Sequence, residues 1–541
     1  MDCVGVEVAS PPNIEATNTE GIYTPSSLQK ANIEPSASSA STNPQAYVGD
    51  ISFMSPVTSQ HEPLQLPVAL RSTRDSFSGA LIRTMGATSL PPQGKIDGLV
   101  DIYFKNLYHR APIVDRKDLL AGKSSVLLLQ SLCLIGTLLR HPGIESTLEE
   151  SERYYCKVKA LLYVNHEKDH HTVLKCLCFL LFRNYTPPTV VSLDCSWHWM
   201  GMAVRLAQQM GLHREPTYAN LQNSGNARRI MWFLFVEDKL QTACFGRPST
   251  VGSLEFDLRP LRLTDFDCQN SQAELFVEYV KLNVILGKIL DSHSRKNDFA
   301  YSEATSILQS LQNWLHSLPD HLQLYNEFDR SPFRRDVHEI HINYFVCVIV
   351  FCRLLGISIP RSTATAASLV ASSCIARLYE EMHFRDEINY LMPMNNWFLM
   401  AGCAPQIHQN AVSRGKDQLC TEELRIFTKV LEYMRIKWPA TGTLLDILAR
   451  LCAIDSNEVL RHGQDANGSQ DTECMNGSWT IRVPGSEVLK GLFPFPSTLS
   501  PRLVLVEEES EEFDDQLVPE KSWDLGDDDL DWIFNQYQLA F

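Results

Sequence analysis

Few of the 541 residues have types and spacings that suggest chemistry, and each candidate needs a test against the element that would carry it. His338 and His341 stand three apart in "HEIH", so a helix could turn both toward one metal ion, but H-E-x-x-H spacing and a third ligand are missing. Cys176 and Cys178 alternate inside an apolar helical run, where successive side chains diverge, and they read as core. Asp527, Asp528 and Asp531 match the D-D-x-x-D of diphosphate-binding helices by letter only, because no second metal motif accompanies them. Nucleophile-elbow, phosphate-loop and dinucleotide patterns do not occur, so catalysis and bound cofactors are not expected. The remaining candidate is the stretch from Gly211 to Pro248. It sets His213, Arg214, Arg228, Arg229 and Arg247 among large apolar residues, and these could touch DNA or hold helices together.

The text around these residues is helical. From Lys95, apolar residues recur every three or four positions between short polar or Gly/Pro breaks. This predicts an all-α body with helices at 95–109, 114–121, 124–140, 147–164, 171–183, 194–210, 226–244, 272–295, 302–317, 335–356, 364–383, 395–410, 420–437 and 441–453. Trp199, Met202, Ala203, Leu206, Ala207 and Met210 form one stripe. Gly211 sits at the left-handed C-cap, with Leu212 placed to fold back on the last turn. Asn226 is expected to cap the next helix, which ends at Gly246-Arg247-Pro248. Arg228 and Arg229 fall in that helix's first turn, where the dipole disfavours cations. Carboxylates such as Glu215, Glu237 or Asp238, or carbonyls at a neighbouring helix C-terminus, must compensate them. Phosphate tracking requires a larger basic patch than two adjacent arginines, so the structural role is preferred.

Four segments follow from composition. Residues 1–92 are Ser/Thr/Pro-rich, with 14 Ser, 8 Thr and 8 Pro in the first 90, too little apolar surface to offset ordering entropy; disorder is expected. Residues 93–453 form the helical body, and 454–504 a polar, glycine-bearing linker. Residues 505–541 are an acidic tail. Between Glu507 and Asp531, thirteen acids face Lys521 alone, so most of the net charge of −16 lies there and the body is near neutral. A near-neutral body makes direct sequence-specific DNA binding unexpected. In the tail, Trp523, Leu525, Leu530, Trp532, Ile533, Phe534, Tyr537 and Phe541 alternate with acids, a pattern that keeps hydrophobes solvated until a partner's groove accepts them. The longest apolar run, Tyr344 to Cys352, is shorter than a bilayer span, and the scattered cysteines with no leader-like start suggest an intracellular protein.

"WHWMGMAVRLAQQMGLHRE" followed by "ARRIMWFLFVEDKLQTACFGRPSTV" resembles the middle homology region of fungal zinc binuclear-cluster transcription factors. Trp199, Gly201, Ala203, Ala207, Gly211, Leu212, His213, Arg214, Arg228, Arg229, Trp232, Asp238, Gly246, Arg247 and Pro248 carry the match. "DIYFKNLYHRAPIVDRKDLL", "LQSLQNWLHSLPDHLQ" and "HEIHINYFVCVIVFCRLLG" extend it in order, over roughly residues 95–453. Asn226-Ala227 replaces the acid that usually precedes the arginine pair, and Leu354 the proline expected after Arg353. The family reads DNA through six zinc-binding cysteines, whereas residues 1–132 contain only Cys3. The resemblance therefore implies a nuclear regulator of transcription, in a family that often governs metabolic genes, secondary-metabolite clusters among them. Its acidic tail would recruit transcription machinery or a coactivator. DNA would be reached through a DNA-binding partner or a homo-oligomer. Alternatives are a zinc-cluster factor whose reader is missing from these residues, and an all-α ligand sensor or enzyme.

Overall fold

The three- and four-residue apolar spacing becomes helix in the computed structural model, which describes residues 47, 68–119, 124–140, 147–183, 191–252, 256–295, 301–326, 329–355, 361–413, 415–452 and 487–507. The helices are α1 Val68–Met85, α2 Gln93–Asn106, α3 Val126–Leu139, α4 Thr147–Tyr163, α5 His170–Leu180, α6 Ser196–Gln209, α7 Ser224–Phe245, α8 Ser271–Ser294, α9 Tyr301–His316, α10 Arg335–Leu355, α11 Arg361–Phe384, α12 Met394–Val412, α13 Gln418–Lys437 and α14 Thr441–Cys452. Two short helices, α15 Glu487–Leu492 and α16 Val504–Glu507, follow. Among the described residues the only sheet is a two-residue antiparallel pair, Tyr325–Asn326 with Asp329–Arg330. The fold is all-α.

Helices adjacent in sequence pack on one another: α2 on α3, α3 on α4, α5 on α6, α7 on α8, and α10 through α14 in a second series. α3 is apolar all round, and α2 approaches it closely. A side chain at Gly136 would place Cβ 2.4 Å from the Leu99 carbonyl oxygen. Asp169, Asn270 and Asp417 cap α5, α8 and α13 by accepting from backbone N–H groups of the first turn. α10 is long and apolar enough to cross a bilayer, but 83% of its most apolar window is buried inside the body, which makes it a core helix.

Four expectations are corrected. Of the helix expected at 114–121, the described residues 114–119 form one 3-10 turn, Arg116–Leu119, and side chains from α7 take the Pro112 and Ile113 carbonyls just upstream. Within residues 1–92, Val68–Met85 is helical and packs on α4. Asn226 lies inside α7, whose N-cap is Asn223. The expected linker ends in a strap: Leu489, Leu492, Phe493, Leu499, Leu503 and Val506 are buried on the body. The Phe493 ring stacks on Phe345, the Tyr344 hydroxyl donates to the Leu492 carbonyl at 2.9 Å, and Arg502 pairs with Asp417 at 2.6 Å. Residues 1–46 and 48–67, the first part of the linker (454–486) and the acidic tail beyond 507 lie outside the described residues. So do Trp523, Leu525, Leu530, Trp532, Ile533, Phe534, Tyr537 and Phe541 of the expected activation segment, and the Asp527, Asp528 and Asp531 triplet.

Candidate functional site

The α6–α7 hairpin gathers most of the signature residues. α6 ends because Gly211 adopts φ +73°, which L side chains rarely reach. The Leu212 N–H returns to the Ala207 carbonyl at 2.9 Å, and the Leu212 side chain is fully buried. Thr217 and Tyr218 donate their hydroxyls to the Gly211 and Leu212 carbonyls. The His213 ring meets Tyr47 edge-on at 4.9 Å, and Arg214 pairs with Asp257 at 3.2 Å. α7 then runs to Gly246, a second left-handed residue at φ +63°.

Within α7, Arg228 and Arg229 point into the protein, with 3% and 1% of their surface exposed. Arg228 forks onto both Glu215 oxygens, at 2.5 and 2.9 Å, with its guanidinium 4.1 Å from the centre of the Tyr218 ring. Burial acts to raise the Glu215 pKa, but the Arg228 hydrogen bonds and nearby Arg259 hold that carboxyl below its usual range. Arg229 donates to Asp115 at 2.5 Å, to the Pro112 carbonyl at 2.8 Å and to the Asp265 carbonyl at 2.5 Å. Asn226 donates to the same Asp115 and to the Ile113 carbonyl. Arg259 forks onto Asp265, which completes a set of three arginines facing three carboxylates. Of the partners expected from sequence, Glu215 is present and Glu237 and Asp238 are not. Of the two carbonyls, that of Pro112 comes from a loop and that of Asp265 from the C-terminal residue of the 3-10 turn Leu263–Asp265. This geometry leaves neither arginine a face for a phosphate.

Asp238 instead holds the chain that follows the helix. It accepts from the Thr250 and Val251 N–H groups and from the Ser249 hydroxyl, while Lys239 bonds Ser249 and the Val251 carbonyl. Gly246 and Pro248 allow that return. Arg247 departs from the buried pair: it is half-buried, with its guanidinium 5.3 Å from the Trp197 ring centre and 5.1 Å from that of Phe245. Trp232 donates its indole N–H to the Arg259 carbonyl at 3.2 Å.

Sequence reasoning missed two features. Gly225 lets α7 press against the Asp265 backbone: a Cβ there would lie 2.6 Å from that carbonyl oxygen. Arg110, which follows α2, meets Glu339 of α10 at 3.3 Å and donates to the Tyr279 hydroxyl at 2.8 Å. Arg335 bonds the other Glu339 oxygen, Glu387 and the Asn106 carbonyl. Although burial opposes it, Arg335, His109 and Arg110 bring the Glu339 carboxyl down to about 2. No local signal marks a pair 229 residues apart. His338 turns to Glu381 and the Arg334 carbonyl, and His341 to the Val337 carbonyl, so the two rings do not converge. Among the described residues no group of three or more His, Cys, Asp or Glu side chains is placed to hold a metal.

Residues 100–331 match the family described as the fungal specific transcription factor domain. The acetamidase regulatory protein of Aspergillus fumigatus is 24% identical over 332 residues, covering 56% of this chain and 41% of the relative. The cutinase transcription factor 1 alpha of Fusarium vanettenii is 28% identical over 329 residues, 54% of this chain and 35% of the relative. The activator of stress genes 1 of Saccharomyces cerevisiae is 22% identical over 229 residues, 38% and 23% of the two chains. The matched region spans about two fifths or less of the length of each of these relatives.

Proposed function

We propose that this chain, which carries a fungal specific transcription factor domain over residues 100–331, regulates the transcription of metabolic genes in the nucleus. The observation that carries the reading is the α6–α7 hairpin, whose residues resemble the family signature and several of which make specific contacts. Gly211 and Leu212 close α6, Arg228 and Arg229 tie α7 to Glu215, Asp115 and Asp265, and Asp238 returns the chain after Gly246. The relatives named for acetamidase and cutinase regulation support a metabolic target. In this reading the helical body is a protein-interaction module, and the acidic tail recruits transcription machinery or a coactivator. DNA is reached through a partner that carries a reader, because the body's arginine pair is consumed internally and its net charge is small.

The test is a tethered reporter. Residues 505–541 fused to an unrelated DNA-binding domain should drive transcription, and replacing Trp532 and Phe534 by alanine should remove most of it. Silence from the tethered segment refutes the activation reading. A second reading is a zinc-cluster factor whose reader lies outside these residues, and it is favoured by the two-fifths coverage of the relatives. An upstream exon encoding C-x2-C-x6-C would establish it.

A further inference from the structure

The body contains a cavity of about 950 Å³ walled by α7, α8, α10, α12 and α14, a volume suited to a small organic molecule. Its apolar wall includes Leu181, Phe182, Phe245, Trp397, Met400 and Leu444. Its polar atoms are unevenly committed. Arg110 is engaged by Tyr279 and Glu339, and Lys239 by Ser249, Val251 and Asp238. Glu237 differs. It is 5% exposed, lines the cavity, and makes no hydrogen bond or ion pair among the described residues. One turn further along α7 the Gln241 side-chain oxygen, also on this wall, is buried without a hydrogen-bond partner.

A buried carboxyl and a buried amide oxygen, one helical turn apart on an apolar wall, are acceptors in want of donors. Burial lifts the Glu237 carboxyl to about 7 against the pull of Arg110, which shows how weakly its charge is compensated. Half-buried Asp291 adds a second carboxylate to the wall. A ligand carboxylate would meet these acids, whereas an ammonium would supply both the donors and the counter-charge. Half-buried Arg247 and exposed Arg353 also line the cavity, Arg247 with its guanidinium over the Trp197 and Phe245 rings.

We propose that this cavity binds a small molecule with a donor head, a primary amine, on an apolar body. The ammonium sits between the Glu237 carboxyl and the Gln241 oxygen, and the apolar body lies against Phe245, Trp397 and Met400. The binding is independent of whether the chain regulates transcription.

The test uses the full chain with hexylammonium, 1-hexanol and hexanoate as probes, read by calorimetry and by the shift in melting temperature. Hexylammonium should bind and raise the melting temperature, and hexanoate should do neither at the same concentration. Glu237→Gln keeps the shape and should weaken hexylammonium roughly tenfold to a hundredfold, the value of a charge-assisted hydrogen bond, while leaving hexanol within about twofold. Ala401→Phe, which fills the cavity from its α12 wall, should abolish both. Failure of hexylammonium to bind, hexanoate binding as well as the amine, or amine binding unmoved by both substitutions overturns the proposal.

Discussion

Replacing Arg229 by alanine should lower the stability of the helical body by about 4 kcal/mol. The guanidinium is 1% exposed and Asp115 is 2% exposed, so no solvent replaces what is lost. Three hydrogen bonds disappear, two of them to the Pro112 and Asp265 backbone carbonyls, and Asp115 keeps only Asn226 as a donor. Breaking a buried pair by removing one partner costs about 3–5 kcal/mol, chiefly because the other charge stays uncompensated. Arg228→Ala should cost less, about 1–3 kcal/mol, since its partner Glu215 is 37% exposed and can be rehydrated. The double variant Arg229→Ala/Asp115→Ala should cost clearly less than the two single changes added together, with a coupling of about 2 kcal/mol. Urea denaturation followed by circular dichroism, with hydrogen exchange in α7 as a second probe, measures the order wild type, Arg228→Ala, Arg229→Ala. Unchanged unfolding in Arg229→Ala together with lost DNA affinity would refute the reasoning and return the arginines to DNA contact.

Three further outcomes follow from contacts described above. Gly225→Ala should destabilise by about 1–3 kcal/mol, because its Cβ would press on the Asp265 carbonyl, whereas Gly201→Ala, with open space around it, should be neutral or stabilising; thermal melts compare the two. The folded-state pKa of Glu339 lies below its unfolded value, so its contribution is present above pH about 4.5 and lost as pH falls toward about 2, an effect of about 3 kcal/mol. Glu423, buried on α13 where it accepts from Ser373 and Gln406, is lifted to about 7 by burial, has the opposite sign and removes stability as pH rises from about 4.5 to 7; Glu339→Gln and Glu423→Gln should change the acid and neutral limbs of the stability–pH curve respectively, and unchanged limbs would count against both assignments. Phe493→Ala should cost about 3–5 kcal/mol, and truncation after residue 507 should leave the melting temperature unchanged while truncation after 486 lowers it.

What the sequence made legible was local. The hairpin turns at Gly211 and Gly246 could be placed because a left-handed C-cap announces itself within one helical turn. Asn226 misled because its cap propensity is local, whereas its actual partner, Asp115, is 111 residues away. The Arg110–Glu339 contact was illegible for the same reason. The strap escaped notice because Pro494, Pro496 and Pro501 break the helical period, so its apolar residues show no face until Phe345 and Tyr344 supply one. Glu215 was found as a partner of Arg228 because both belong to one hairpin.

The matched family domain stops at residue 331, yet Glu339 of α10 joins Arg110 from one side of that boundary to Arg335 on the other, and Arg335 bonds the Asn106 carbonyl. A chimaera cut at the boundary would strand Arg110 in the N-terminal half with its buried charge unanswered. The two halves are therefore expected to denature as one cooperative unit, and a graft that exchanges regulatory regions between relatives has to carry Arg335 and Glu339 with the part that holds Arg110.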